Sequence, residues 1–511
     1  MSIHEPRTHH QPEFHDAVIV GAGFSGISAA RELLNTGRQD FLILERAAEI
    51  GGVWRENRYP NAACDVPAHL YSLSFALNPN WSSNFAPWWE IQSYMEDVVD
   101  GLGVRDRIRY DTELVAARWD EDAAVWHLVL ADATRLDCRN LISAVGALSR
   151  PSIPDLPGMG EFAGAIFHTA EWHDGIDLTG KRVVVVGAGA SAVQVVPYVV
   201  DHAAATLAVV RTAPYVMPKP EELYGEFEKA FFASHPEELL ARREKEYTGF
   251  NVSTRAQAAM DEDFLRAREA DWRAHLDASV SDPALREILT PDYRWGCRRP
   301  VVSNAFYPAL ADARTEVWDV GIAAFTPDGV VGADGREWAA DVVILATGFR
   351  GTELFEGVEY LGREGRSLRE TWGAEPEAYK GTLVEGFPNL YLTTGPNTQA
   401  SGSIIGIIEA QTRMIADLID LCEHRGATAL SVTAEAQARY NHWLAEEMAG
   451  TVWEAGGCSS WYRAGGTGKV VTKFPGALED FERITQDIEL SDLELSTDVG
   501  GARETSERVG A

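Results

Sequence analysis

The chain has 511 residues, with an ordinary apolar share for a globular protein, and sets 45 Lys and Arg against 77 Asp and Glu, a net charge of −32. That length supports two or three domains with cores of their own. Such acidity argues against a nucleic-acid or anionic-membrane partner, which needs a basic face, and reads most simply as solubility.

In chain order, residues 1–15 are polar, without the apolar stretch of a signal peptide, and read as a disordered arm. "AVIVGAGFSG" from Ala17 gives a buried strand, a Gly-rich turn and a helix start. "DFLILER" is a second buried strand, and Trp88 and Trp89 read as core. Pro151, Pro154 and Pro157 interrupt both helix and strand pairing and mark a linker. "KRVVVVGAGASA" repeats the strand–turn–helix pattern. Residues of about 215–290 have helical spacing rich in Glu, Arg, Ala and Leu, and read as a helical insertion. "AADVVILATGF" is a third buried strand, with Ala346–Phe349 expected to return to the first domain. From residue 486 the acidic, Ser/Gly-rich tail is expected to lack fixed structure.

The expected fold is α/β, with two Rossmann-like dinucleotide-binding domains. One comprises residues 16–150 and 336–485. The other, residues 151–335, is inserted into it and carries the helical insertion. No apolar run is long enough to span a bilayer, so a cytoplasmic location is expected. The five cysteines, Cys64, Cys138, Cys297, Cys422 and Cys458, are scattered, odd in number and without a CxxC pair. They suggest free thiols in a reducing compartment and match no zinc spacing. No metal site is expected.

The two Gly-rich turns lie about 165 residues apart. Gly21, Gly23 and Gly26 fit the dinucleotide fingerprint: a tight turn, close approach to a pyrophosphate, and close helix–strand packing. Gly187, Gly189 and Ala192 repeat it, with Ala at a position where the fingerprint permits it. A phosphate would meet the backbone N–H groups at each helix start. Glu45 ends the next strand 24 residues after Gly21, and Arg211 stands 24 residues after Gly187. A carboxylate suits an adenine ribose diol and repels a 2′-phosphate. A guanidinium followed by Thr212 suits that phosphate. The expected cofactors are FAD on the first turn and NADPH on the second. The alternative is that Glu45 and Arg211 are ordinary strand-end charges.

Phe162, Gly164, His168 and Trp172, in "FAGAIFHTAEWHD", resemble the FxGxxxHxxxW fingerprint of type I Baeyer–Villiger monooxygenases. The fingerprint's next position is Pro or Asp; here it is His173, with Asp174 one step later. "GGVWRENRYPNAACD" is similar to a longer signature of the same family, matching at Gly52, Trp54, Tyr59, Pro60 and Asp65, with Asn61 where Gly is usual. "GCRRP" sets Arg298 and Arg299 where the family has a Lys-Arg pair. "SSWYRAGGTGK" resembles the loop that closes over the nicotinamide, matched at Trp461. "GFPNLYLTTGPNT" resembles the flavin-domain segment that ends near the ring.

The resemblance implies an NADPH- and O2-dependent flavoenzyme that inserts one oxygen atom beside a ketone carbonyl, through a C4a-peroxide, giving an ester or lactone. Arg299 would keep that peroxide ionised and stabilise the oxyanion formed next, and Asp65 would fix Arg299. Arg298 and Trp461 would serve the cofactors. His168 and Trp172 would couple the linker to domain movement rather than touch substrate.

Asp65 as a turn residue, Arg298 as the catalytic arginine, and Tyr71 as packing rather than cofactor lining remain open. A rival function is a flavin monooxygenase that oxygenates nitrogen or sulfur. Another is a redox-sensing protein that keeps FAD for structure. A disulfide reductase would need a Cys pair beside the flavin, and the spacing offers none. The expected partners are a small ketone and O2; the ketone and the oligomeric state are not legible.

Overall fold

The computed structural model describes residues 12–351, 355 and 357–497. It begins with β1 (Glu13–Val20), α1 (Phe24–Asn35) and β2 (Phe41–Leu44). The last four residues of β1 and all of β2 are buried, as expected for parallel strands covered on both faces. They pair in register, Val18 with Leu42 and Val20 with Leu44. After the short helix α2 (Val53–Glu56) and α3 (Trp88–Leu102) come β3 (Ile108–Arg109), β4 (Leu114–Asp120), β5 (Val125–Leu130) and β6 (Arg135–Ser143). β6 lies parallel to β1 on the side opposite β2, and β4–β5–β6 form an antiparallel meander.

A second sheet follows the linker. It comprises β7 (Ala165–His168), β8 (Arg182–Val186) and β9 (Ala205–Val209), with α4 (Ala190–His202) between the last two. A short parallel pair, β10 (Val216–Met217) and β11 (Val301–Val302), brackets the helical insertion: α5 (Glu226–Ser234), α6 (Pro236–Ala258), α7 (Glu262–Ser279) and α8 (Pro283–Ile288). β12 (Thr315–Trp318) joins β9. β13 (Ile322–Thr326), β14 (Gly329–Gly332) and β15 (Glu337–Ala339) form a separate antiparallel sheet. β16 (Val342–Leu345) completes the five-stranded parallel order β12-β9-β8-β16-β7. β17 (Glu359–Leu361) and β18 (Leu390–Leu392) return to the first sheet, beside β4 and β6.

Four expectations change. β16 was expected on the flavin side, but it pairs with β7 and β8, so the chain leaves the second sheet only after Leu345. Apolar continuity marks a buried strand without saying which sheet takes it. The N-terminal arm gives way to strand at Glu13 rather than after residue 15, and residues 1–11 lie outside the described residues. Part of the acidic tail is ordered: Leu493–Ser496 pairs antiparallel with Ala429–Val432, and Asp492 accepts the Tyr379 hydroxyl at 2.7 Å. Residues 498–511 lie outside the described residues. Trp89 is 55% exposed instead of core, and Trp88 is half-buried under Arg58.

The linker is double. Residues around Pro151 run antiparallel to the segment after β16, bridging Pro151 to Phe349. The Ser152 N–H donates to the Gly348 carbonyl at 2.8 Å, and the Thr347 hydroxyl donates to the Ser152 carbonyl at 2.6 Å. Two chain segments thus cross between the two sheets side by side and bonded to each other.

Candidate active site

A cleft of about 1130 Å³ is continuous from one Gly-rich turn to the other. At the first turn Gly21 has φ +108°, and a Cβ there would sit 2.6 Å from the Ala144 carbonyl oxygen. A Cβ on Gly26 would collide with the Gly21 carbonyl oxygen, so α1 packs on β1 only because Gly26 has no side chain. Gly23 faces the cleft beside Gly52, which has φ +54°. α1 begins there without a side-chain cap, leaving its first N–H groups to an anion. The second turn repeats the arrangement. Gly187 has φ +130°, Gly189 looks onto open space, Ala192 has no exposed surface, and α4 also starts uncapped.

The two residues at the same offset from their turns differ. Glu45 is buried, its carboxylate accepting the Ala22 N–H at 2.8 Å and the Ala47 N–H at 2.9 Å while lining the cleft. Arg211 is exposed on the cleft, next to Thr212, and makes no ion pair among the described residues. A fixed acceptor at one end and a free guanidinium at the other fit a ribose diol and a 2′-phosphate, respectively.

Between these ends stands the ion pair of Arg299 and Asp65. Asp65 closes the segment that begins at Gly51. Within that segment Asn61 takes φ +66°, a left-handed conformation that Asn tolerates better than most residues, so the turn survives without the usual Gly. Gln194 on α4 holds the segment from the other half, donating to the Tyr59 hydroxyl at 3.2 Å and accepting the Ala63 N–H at 2.8 Å. Arg299 follows Gly296, whose carbonyl accepts Gln257 Nε2 of α6 at 2.8 Å. Half of the Arg299 side-chain surface, 51%, is open, and Arg299 lines the cleft. The charge of Asp65 raises the pKa of Arg299, against the opposing effect of burial. Arg299 is therefore a permanent cation aimed into the space between the turns.

Tyr71 both lines the cleft and packs. Its hydroxyl accepts Trp54 Nε1 at 3.1 Å, its ring meets Phe24 edge-on, and burial pushes the hydroxyl pKa up. Arg298 donates to the Ser459 carbonyl at 2.7 Å and to its hydroxyl at 3.2 Å. It thus holds the loop that carries Trp461, which is itself exposed on the cleft. Phe162, Gly164, His168 and Trp172 do not line the cleft. Phe162 packs on Phe325, and His168 is fully buried, edge-on to Phe349 of the linker. Gly164 admits no side chain beside the Asp341 carbonyl oxygen, and Trp172 packs on Phe167 and Tyr198. Burial lowers the His168 pKa and keeps it neutral, opposed by the Gly348 backbone.

Two features escaped the sequence. Cys297 and Cys458, expected as free thiols, are joined in a disulfide across 161 residues; Cys64, Cys138 and Cys422 are free and buried. No local spacing announces a pair brought together only by tertiary packing. Lys473 is a buried cation without a carboxylate partner among the described residues. Its Nζ donates to the Ser401 hydroxyl at 3.1 Å and lies over the Trp453 and Tyr462 rings. Burial, then the charge of Arg299, pushes its pKa down to about 7.

Residues 15–235 match the pyridine nucleotide-disulphide oxidoreductase family. A Baeyer-Villiger monooxygenase of Streptomyces coelicolor is 38% identical, over 95% of this chain and 94% of its own length. One of Pseudomonas aeruginosa is 37% identical, over 94% and 91%. Among solved structures, a steroid monooxygenase bound to NADP superposes with a TM-score of 0.83 at 29% identity, covering 95% of this chain and all of its own. Cyclohexanone monooxygenase from Rhodococcus sp. Phi1 bound to NADP+ gives 0.84 at 26%, covering 96% and 100%. The chain belongs to the Baeyer–Villiger monooxygenase family, whose cofactors are FAD and NADPH.

Proposed function

We propose that Arg299 and Asp65 carry the oxygen-insertion step of this NADPH-dependent flavin Baeyer–Villiger monooxygenase. The observation behind the assignment is the Arg299–Asp65 pair on a single cleft that reaches both nucleotide turns. FAD, reduced by NADPH, supplies activated oxygen when both are bound. The protein's part is electrostatic. As a ketone is attacked, negative charge grows on its carbonyl oxygen, and a guanidinium already held in place stabilises it without reorganising. Asp65 holds Arg299 at that position. Lys473, near Arg299, adds positive potential when protonated. Neither sulfur of the Cys297–Cys458 bond lines the cleft, which favours oxygen transfer over disulfide reduction.

The proposed substrate is a small ketone with O2, and the reliance on NADPH supports a cytoplasmic location. The test is Arg299→Ala, with Arg299→Lys as the conservative variant, on a panel of ketones, amines and sulfides analysed by mass spectrometry. Ester or lactone formation should fall about 10²–10³-fold in the Ala variant while anaerobic flavin reduction by NADPH persists. Undiminished ester formation would remove Arg299 from the mechanism. Wild-type protein yielding only N- or S-oxides would place it with the heteroatom oxygenases.

A further inference from the structure

Two segments meet beside the cleft at consecutive points. Cys297 is bonded to Cys458, Arg298 holds Ser459, and the Tyr462 hydroxyl lies against the Arg299 backbone. One segment carries Arg299 and the other carries Trp461. Close approach is built in: a Cβ on Gly456 would lie 2.8 Å from Cys297 Cβ, and the Arg294 N–H donates to the Gly456 carbonyl at 3.1 Å. On its far side the Arg299 segment is fixed by Gln257 of the helical insertion. The Trp461 loop thus hangs from a segment that is itself anchored.

We propose that Cys297 and Cys458 are positioning residues whose disulfide clamps the Trp461 loop to the Arg298–Arg299 segment, so that their redox state sets how firmly the NADPH side of the cleft is covered. This rests on the reading of Arg299 as the active-site cation. The bond is reversible in principle. Cys458 keeps some exposed surface and Cys297 none, so a dithiol reductant attacks at Cys458. The S–S bond breaks, two electrons and two protons pass from the dithiol to the two sulfurs, and the reductant leaves as its own cyclic disulfide. In a reducing compartment a disulfide is more often transient than structural, which suits a switchable clamp. Once it is reduced, the loop is left to non-covalent contacts with that segment, among them Arg298–Ser459, Arg294–Gly456 and Tyr462–Arg299.

The experiment uses the FAD-loaded full chain, with and without dithiothreitol. Non-reducing peptide mapping after alkylation should show the Cys297 and Cys458 peptides cross-linked before treatment and separately alkylated after it. Reduction should speed tryptic cleavage at Arg463 and Lys469, both in the loop, about 5-fold or more, because the loop opens more often. It should also raise KM for NADPH several-fold with a smaller change in kcat. Cys458→Ser should behave as the reduced protein and ignore the dithiol. Should that variant fold poorly, reduced wild type supplies the same comparison. Free thiols in the untreated protein would overturn the proposal, as would cleavage and KM that do not respond to reduction. Because cleavage needs no turnover, a failed Arg299 assignment would leave that readout intact and is separable from failure of the clamp.

Discussion

The Glu45 turn and the Arg211 turn, proposed for FAD and NADPH, share a backbone plan and differ in what surrounds them. Glu45 is buried with both carboxylate oxygens held by backbone N–H groups, whereas Arg211 is exposed and unpaired among the described residues. Gly26 is jammed against Gly21, and Gly189 faces open space. One site is assembled before its ligand arrives, as suits a cofactor that stays. The other leaves the Arg211 guanidinium free, which suits the NADPH proposed there. The Arg299–Asp65 pair spans the border, with Asp65 from the flavin side and Arg299 following the helical insertion.

The sharpest way to break this contrast is to add a side chain at each turn. Gly26→Val should abolish FAD retention and destabilise the fold, since its Cβ collides with backbone that cannot move aside. Gly189→Ala should keep FAD and the melting temperature while raising KM for NADPH. Flavin absorbance of the purified variants and thermal unfolding check both. Equal FAD loss in the two would show that the sites are not separately built.

A smaller effect is expected from Arg211→Ala. NADPH should lose about 10- to 100-fold in kcat/KM, from removal of a charge-assisted contact, with NADH little changed. Steady-state kinetics with the two coenzymes decide it, and equal losses would leave Arg211 without a role in phosphate recognition.

The smallest concerns Lys473, which lies near Arg299. Its folded pKa, about 7, is below that of an unfolded lysine. The unfolded chain therefore binds more protons between those values, and stability rises with pH across that window. The cost of the buried charge is complete below the folded pKa. Lys473→Met should raise the melting temperature, and more at about pH 6 than at about pH 9. A gain independent of pH would mean that the folded protein does not depress this pKa, as for a solvated amine.

The parts legible in the sequence were those with a local signature. Each Gly-rich turn sits within a dozen residues of its strand and helix, and the Glu45 and Arg211 offsets follow from that fixed geometry. Asp65 and Arg299 were visible only through resemblance, because 234 residues separate them. What stayed hidden depends on long-range placement. β16 is equally apolar whichever sheet receives it, and Leu493 and Leu495 gain a strand partner only once Ala429–Val432 is in place. Cys297 meets Cys458 through packing alone. Lys473 sits in "VVTKF", where a lone lysine beside apolar residues does not show whether its ammonium is buried.

The two uncapped helices have a consequence for the protein's abundance. A side-chain cap is worth about 1 kcal/mol, and α1 and α4 each forgo one at the end that faces the cleft. A bound pyrophosphate returns that stability by mass action, in proportion to the logarithm of its free concentration over its dissociation constant. The fraction of newly made chain that survives proteolysis should then follow the cell's supply of FAD, so that a shortage of the vitamin precursor would appear first as missing protein rather than as idle enzyme.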